Sequence, residues 1–174
     1  GVRRLCAHLT DPIAPEQADS QEQAYRSIHA LEAEAHRDRV VHPVIGPIQP
    51  VQLAPGTPSN LIRTVFGFYP YWAPGYSQIR FQDLTHLAYF SVEANGSGQL
   101  VNLRGWPNVP LIQAAHQADV RVVLVCTLFD SSQLQALLLS QAARQTLISN
   151  LREQVLSGGA DGVNVDFEGV PGSQ

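Results

Sequence analysis

Apolar and polar positions change their period along the chain. Across residues 15–39 the sequence is rich in Gln, Glu, Ala and Arg, and Tyr25, Ile28, Leu31 and Ala35 recur at three- and four-residue spacing. That spacing predicts one amphipathic helix. Its start falls at Asp11-Pro12 or at Pro15, and Pro43 blocks its extension. Proline then recurs at Pro43, Pro47, Pro50, Pro55 and Pro58. This predicts a semi-extended linker, or a segment laid over a surface.

From Leu61 onward strands alternate with helices. Residues 63–69 read as a first strand ended by Pro70, and residues 85–92 as a second, ended by Asn95-Gly96-Ser97-Gly98. Residues 110–118 read as a helix. The near-continuous apolar run at 121–128 suits a parallel strand covered on both faces. Residues 131–156 form a helical stretch with Leu134, Leu137, Leu138, Leu147, Ile148, Leu151 and Val155 on a broad apolar face, broken near Ser140 and ended by Gly158-Gly159. Residues 160–168 read as a fourth strand. This order predicts an α/β fold with a parallel sheet and right-handed crossovers. No internal repeat is visible.

In the last strand, Asp161-Gly162-Val163-Asn164-Val165-Asp166-Phe167-Glu168, alternation puts Asn164, Asp166 and Glu168 on one face and Val163, Val165 and Phe167 on the other. Polar groups in a row on a buried strand are costly unless paired or used in chemistry. In α/β barrels the working residues stand at the C-terminal ends of strands. Two carboxylates this close cannot both ionise freely, which suits one of them to act as a general acid. Glu168, nearest the mouth, is the better proton donor, and Asp166 the better partner. The structural alternative is a pair of ordinary carboxylates closing a strand, or a bound cation.

Composition narrows the field. The chain is 44% hydrophobic and 15% charged, which is globular rather than disordered. Its formal net charge is −4, its eleven basic residues are all Arg, and no basic cluster extends beyond Arg3-Arg4 and Arg37-Asp38-Arg39. Nucleic-acid binding is therefore not expected. No apolar run reaches membrane-spanning length. With 174 residues, the chain is shorter than the about 250 that a complete eight-stranded α/β barrel needs. Cys6 and Cys126 read as unpaired thiols, although a bridge between them stays open. No Cys/His cluster suggests zinc. His29, His36 and His42 read as exposed helix or loop residues.

The strand at 161–168 resembles the signature of glycoside hydrolase family 18, the chitinase-like family: Asp-x-x-Asp-x-Asp-x-Glu at the end of the fourth barrel strand. Phe66-Gly67-Phe68-Tyr69-Pro70-Tyr71-Trp72 resembles the family's first strand, and Thr85-His86-Leu87-Ala88-Tyr89-Phe90 its second. The resemblance covers about residues 61–170 and looks most like the bacterial branch of spore-cortex and cell-wall enzymes. It implies a (β/α)8 TIM-barrel type fold of which about the first four strand–helix units are present. They occupy residues 61–174, after an N-terminal helix and Pro-rich linker at 1–60.

The resemblance also implies substrate-assisted hydrolysis, an exception to the two-carboxylate scheme. Glu168 would protonate the glycosidic oxygen. Asp166 would orient an N-acetyl group whose carbonyl oxygen attacks the anomeric carbon, and Asp161 would be structural. No metal or organic cofactor is implied. The partner would be an N-acetylated polysaccharide or oligosaccharide, peptidoglycan ahead of chitin, and the location secreted or cell envelope.

Two departures stand out. Asn164 replaces the family's middle Asp, which predicts a changed pH profile rather than loss of activity. Cys126-Thr127-Leu128-Phe129 replaces the usual Ser-x-Gly-Gly of the third strand, which weakens the expectation of chitin as substrate.

Aromatic rings supply platforms for sugars. Tyr69, Tyr71 and Trp72 follow the first strand and Trp106 follows the second, and Trp72 is the strongest candidate. Each ring could instead pack under loops. Glu93 and Asp130 follow strand ends and read as surface carboxylates, and Phe90 as barrel filling. A half-barrel exposes its edge strands, so the chain alone is expected to be inactive and either marginal or oligomeric. Two other functions fit the same residues: a chitinase-like binding module without turnover, and a truncated product with no function.

Overall fold

The computed structural model describes residues 27–45 and 61–169. They divide between two compact units, one ending at Ala35 and the other beginning at His36. Cys6 and the start of the predicted first helix lie outside the described residues.

In the first unit, α1 spans Ile28–Ala35, and the Ser27 hydroxyl caps it by accepting from the Ala30 amide at 3.1 Å. The helix ends at Ala35, before the Arg39 end that its spacing predicted, and residues 36–38 form a turn. The predicted apolar face is also not the buried one. Ile28 and Leu31 are 65% and 48% exposed, whereas Ala30 is buried. Helical spacing identifies a stripe but not what packs on it.

The second unit is built on one sheet. Its strands are β1 (Phe66–Pro70), β2 (His86–Ala94), β3 (Leu100–Asn102), β4 (Arg121–Leu128) and β5 (Gly162–Phe167). Four of them are parallel in the order β1-β2-β4-β5, and β3 pairs antiparallel with β2. The sequence predicted the four parallel strands but not β3. The signal for the hairpin was Asn95, whose Oδ1 accepts from the Ser97 and Gln99 amides at 3.0 Å and turns the chain back.

Three helices cover one face: α2 (Val109–Gln117), α3 (Ser131–Leu139) and α4 (Gln141–Gly158). Asn108 caps α2, Asp130 caps α3 and Ser140 caps α4. The predicted break near Ser140 therefore has a local cause: its hydroxyl accepts from the Ala143 amide at 3.2 Å and starts a new helix. Gly159 ends α4 at φ 77°, the left-handed conformation that glycine takes without strain.

Register separates the two faces of the sheet. Leu87, Tyr89, Val122, Leu124, Cys126 and Leu128 point toward the helices, where they pack with Leu111, Leu134, Leu137, Leu147 and Leu151. Ala88, Phe90, Val125 and Thr127 leave by the other face and are also buried. This explains the unbroken apolar run in β4. The edge strands are more open: Phe66 and Phe68 on β1 are 41% and 45% exposed, and Val165 on β5 is 55% exposed.

Candidate active site at the upper end of the last strand

β5 is fixed from below. The Asp161 amide donates to the Val122 carbonyl at 2.7 Å. In return, Asp161 Oδ2 accepts from the Val122 amide at 2.6 Å and lies 2.8 Å from His116 Nε2. Burial acts to raise the pKa of Asp161. The Val122 amide, the His116 ring and the Arg121 charge outweigh it and hold the carboxyl below its ordinary value. A carboxylate clamped this way sets the register of β5 against β4.

From that anchor the side chains alternate upward. Asn164 pairs in register with Val125, and Asp166 with Thr127, so both polar groups leave on the face away from the helices. Glu168 follows the strand, its amide donating to the Leu128 carbonyl at 3.3 Å, so the chain keeps beside β4 past the last ladder residue. Gly169 then turns at φ 76°, and a Cβ there would stand 2.8 Å from Ser131 Oγ, so the turn needs glycine. Glu168 is half-buried, and one of its carboxylate oxygens lies within 4.8 Å of one of Asp166. Seven strand steps separate Asp161 from Glu168, about 23 Å at 3.3 Å per residue. The signature therefore spans both ends of the strand, and Asp161 is far from the carboxylate pair.

The aromatic candidates separate sharply. Tyr69 is 6% exposed and lies beside Tyr89 in the helix-side core. Tyr71 is 4% exposed, its hydroxyl donates to the His36 carbonyl at 2.8 Å, and the Arg104 guanidinium sits 5.0 Å above its ring. Burial raises the pKa of both phenols. Neither ring is open to a sugar. Trp72 is half-buried and stacks on the His36 ring at 4.4 Å. Trp106 is fully buried, and its Nε1 donates to the Gln154 carbonyl at 3.3 Å. It packs against Gly158 in α4, so the reading of Trp106 as a sugar platform is replaced by a core role.

The loop carboxylates are engaged as well. Asp130 Oδ1 accepts from the Gln133 amide at 2.9 Å as a helix cap. The Ser132 hydroxyl and then that amide lower its pKa. Glu93 pairs with Arg104 Nε at 2.7 Å. Arg104 also donates to the Arg37 and Arg39 carbonyls. The Val109 amide donates to the Val44 carbonyl at 3.3 Å. Residues 36–45 therefore lie over the C-terminal ends of β1 and β2. The sequence reading of His36 as an exposed residue is corrected by its half-buried place against Trp72, and Arg104 was not singled out. The one local signal was Arg104 in a Leu-Arg-Gly turn, where it takes φ 46°. Cys126 is a buried free thiol whose pKa burial pushes up to about 12.

No protein-family model matches this chain, and no curated protein does. Solved structures match at the level of fold. A chitinase from Bacteroides thetaiotaomicron superposes with a TM-score of 0.57 at 17% identity, over 63% of this chain and 37% of that one. A Rhizomucor miehei chitinase gives 0.52 at 24% identity, over 59% and 33%. The spore cortex-lytic enzyme SleL of Bacillus megaterium gives 0.52 at 20% identity, over 60% and 27%. The fold is chitinase-like, part of an α/β barrel. The chain spans about a third of the length of these structures.

Proposed function

We propose that the protein is a family 18 type glycoside hydrolase that cleaves β-linked N-acetylglucosamine polymers by substrate-assisted catalysis. The observation that carries this reading is the placement of Asp166 and Glu168. They share one face at the C-terminal end of a parallel strand in a chitinase-like fold, with carboxylate oxygens within 4.8 Å. Glu168 gives its proton to the glycosidic oxygen as the bond to the anomeric carbon breaks. The acetamido carbonyl oxygen of the same sugar forms the new bond to that carbon, and water later opens the ring so formed. Asp166 accepts the acetamido N–H and holds the carbonyl in line. Asp161 is structural.

The neighbours are chitinases and a spore cortex-lytic enzyme, which supports chitin-type or peptidoglycan strands as substrate, peptidoglycan first. Such polymers place the protein in the envelope or outside the cell. Among the described residues no helix is long and apolar enough to cross a membrane. Trp72 is the ring on which a sugar would stack, with His36 displaced from it.

A second reading is a binding module without turnover, favoured by Asn164 in place of the signature's middle Asp. One experiment separates the two. The full-length protein and its Glu168→Gln variant are incubated with N-acetylglucosamine oligomers and with peptidoglycan sugar strands. Turnover by the parent alone, with binding by both, supports the hydrolase. Binding by both with turnover by neither supports the module.

A further inference from the structure

Ser91 and Thr127 are the two polar side chains buried in the core among the described residues, each 2% exposed. They sit in strands that otherwise bury apolar groups, where an unbonded hydroxyl is costly. They bond to each other, with their oxygens 3.2 Å apart, and Thr127 Oγ1 donates to the Val92 carbonyl, also at 3.2 Å. Thr127 has one proton, so with that proton on Val92 the donor within the pair is Ser91. Both contacts are long beside the usual O–H···O distance of about 2.7–2.8 Å.

The position of the pair matters more than its stability. Thr127 is the register partner of Asp166 on β5 and of Glu93 on β2. Glu93 is turned to Arg104 at 2.7 Å. The carboxylate that Thr127 flanks across the β4–β5 pair is therefore Asp166. A hydroxyl bond to a carboxylate is about twice as strong as one to a neutral carbonyl. Rotating the Thr127 proton from Val92 to the Asp166 carboxylate would exchange a long bond for a stronger one, while Ser91 goes on donating from behind.

We propose that Thr127, backed by Ser91, is a positioning residue for Asp166. Its hydroxyl holds the carboxylate from the neighbouring strand in the orientation that receives the substrate's acetamido N–H. This rests on the hydrolase reading above. It also gives meaning to Asn164, which can donate an amide N–H to Asp166 but cannot exchange a proton with it. The adaptable partner that a carboxylate at 164 would supply comes instead from β4.

The test uses Thr127→Val, which deletes the hydroxyl at nearly constant shape, and Thr127→Ser, which keeps it. kcat and KM are measured on an N-acetylglucosamine oligomer in the full-length protein. Affinity is measured for a thiazoline that mimics the ring-closed acetamido intermediate. Thr127→Val is expected to lower kcat about 10- to 100-fold, as for a misplaced reacting group, with KM within about twofold. It also weakens thiazoline binding, and Thr127→Ser recovers both. Ser91→Ala, which removes only the donor behind, shows a smaller loss in the same sense.

Equal impairment by Thr127→Val and Thr127→Ser overturns the proposal in favour of packing. Parent-like kcat in Thr127→Val, while Glu168→Gln is inactive, overturns it and leaves the hydrolase reading standing. A parent protein that neither hydrolyses the oligomer nor binds the thiazoline overturns both.

Discussion

The two ends of β5 use the same residue type for opposite purposes. At the lower end, Asp161 has an amide and an imidazole on one oxygen, and its carboxyl is held below its ordinary pKa. At the upper end, Asp166 and Glu168 stand beside each other on the face away from the helices. The lower carboxylate is used up in fixing the register of two strands. The upper two are both half-buried. A sequence signature that reads as one motif is thus a clamp at Asp161 and a carboxylate pair whose far member, Glu168, stands about 23 Å further along the strand.

The comparison breaks most visibly at Glu168. Glu168→Gln should lower turnover by about 10²–10⁴-fold, the usual contribution of a general acid, and leave the thermal midpoint unchanged. A melt that moved with it would mean that the upper end is structural too. Asp161→Ala should do the reverse. It leaves the buried Val122 amide without its side-chain acceptor, costing about 1–3 kcal/mol and lowering Tm by about 2–10 °C, with sugar affinity retained.

Asn164→Asp sharpens the upper end. A second carboxylate below Asp166 should displace the acidic limb of the pH–rate profile, and an unmoved limb would remove Asn164 from the site.

The lower end predicts an acid dependence of stability. The folded pKa of Asp161 is depressed, so its contribution is fully present above the unfolded value of about 3.9. It is lost as pH falls through the lower folded value. Urea unfolding between pH 5 and 2 should show that loss, and Asp161→Asn should flatten it. The smallest effect is expected at Cys126, which belongs to neither end. Buried, with its pKa pushed up to about 12, it should resist a thiol reagent at pH 8 until the protein unfolds.

Much of the barrel was legible in the sequence because its signals are local. The run at 121–128 announced a strand covered twice, a helix break was expected near Ser140, and Gly158-Gly159 ended a helix. Alternation alone put Asn164, Asp166 and Glu168 on one face. Burial was less legible. Tyr69, Tyr71 and Trp106 all read as rings near a mouth, yet their fate depends on which way each side chain leaves the sheet or loop and what lies there. Tyr69 turns toward the helices, Tyr71 lies under Arg104, and Trp106 fills the space that Gly158 leaves.

By itself the sequence determined the period of each element, the order of the four parallel strands' segments, and the polar face of β5. Period and alternation depend only on neighbouring residues and need no partner. The tertiary structure decided the rest: that Asp161 clamps β4, that Thr127 flanks Asp166, and that residues 36–45 lie across Tyr71 and Trp72. Those pairings join residues 35 to 67 positions apart, and no local pattern specifies which distant strand or segment supplies the partner.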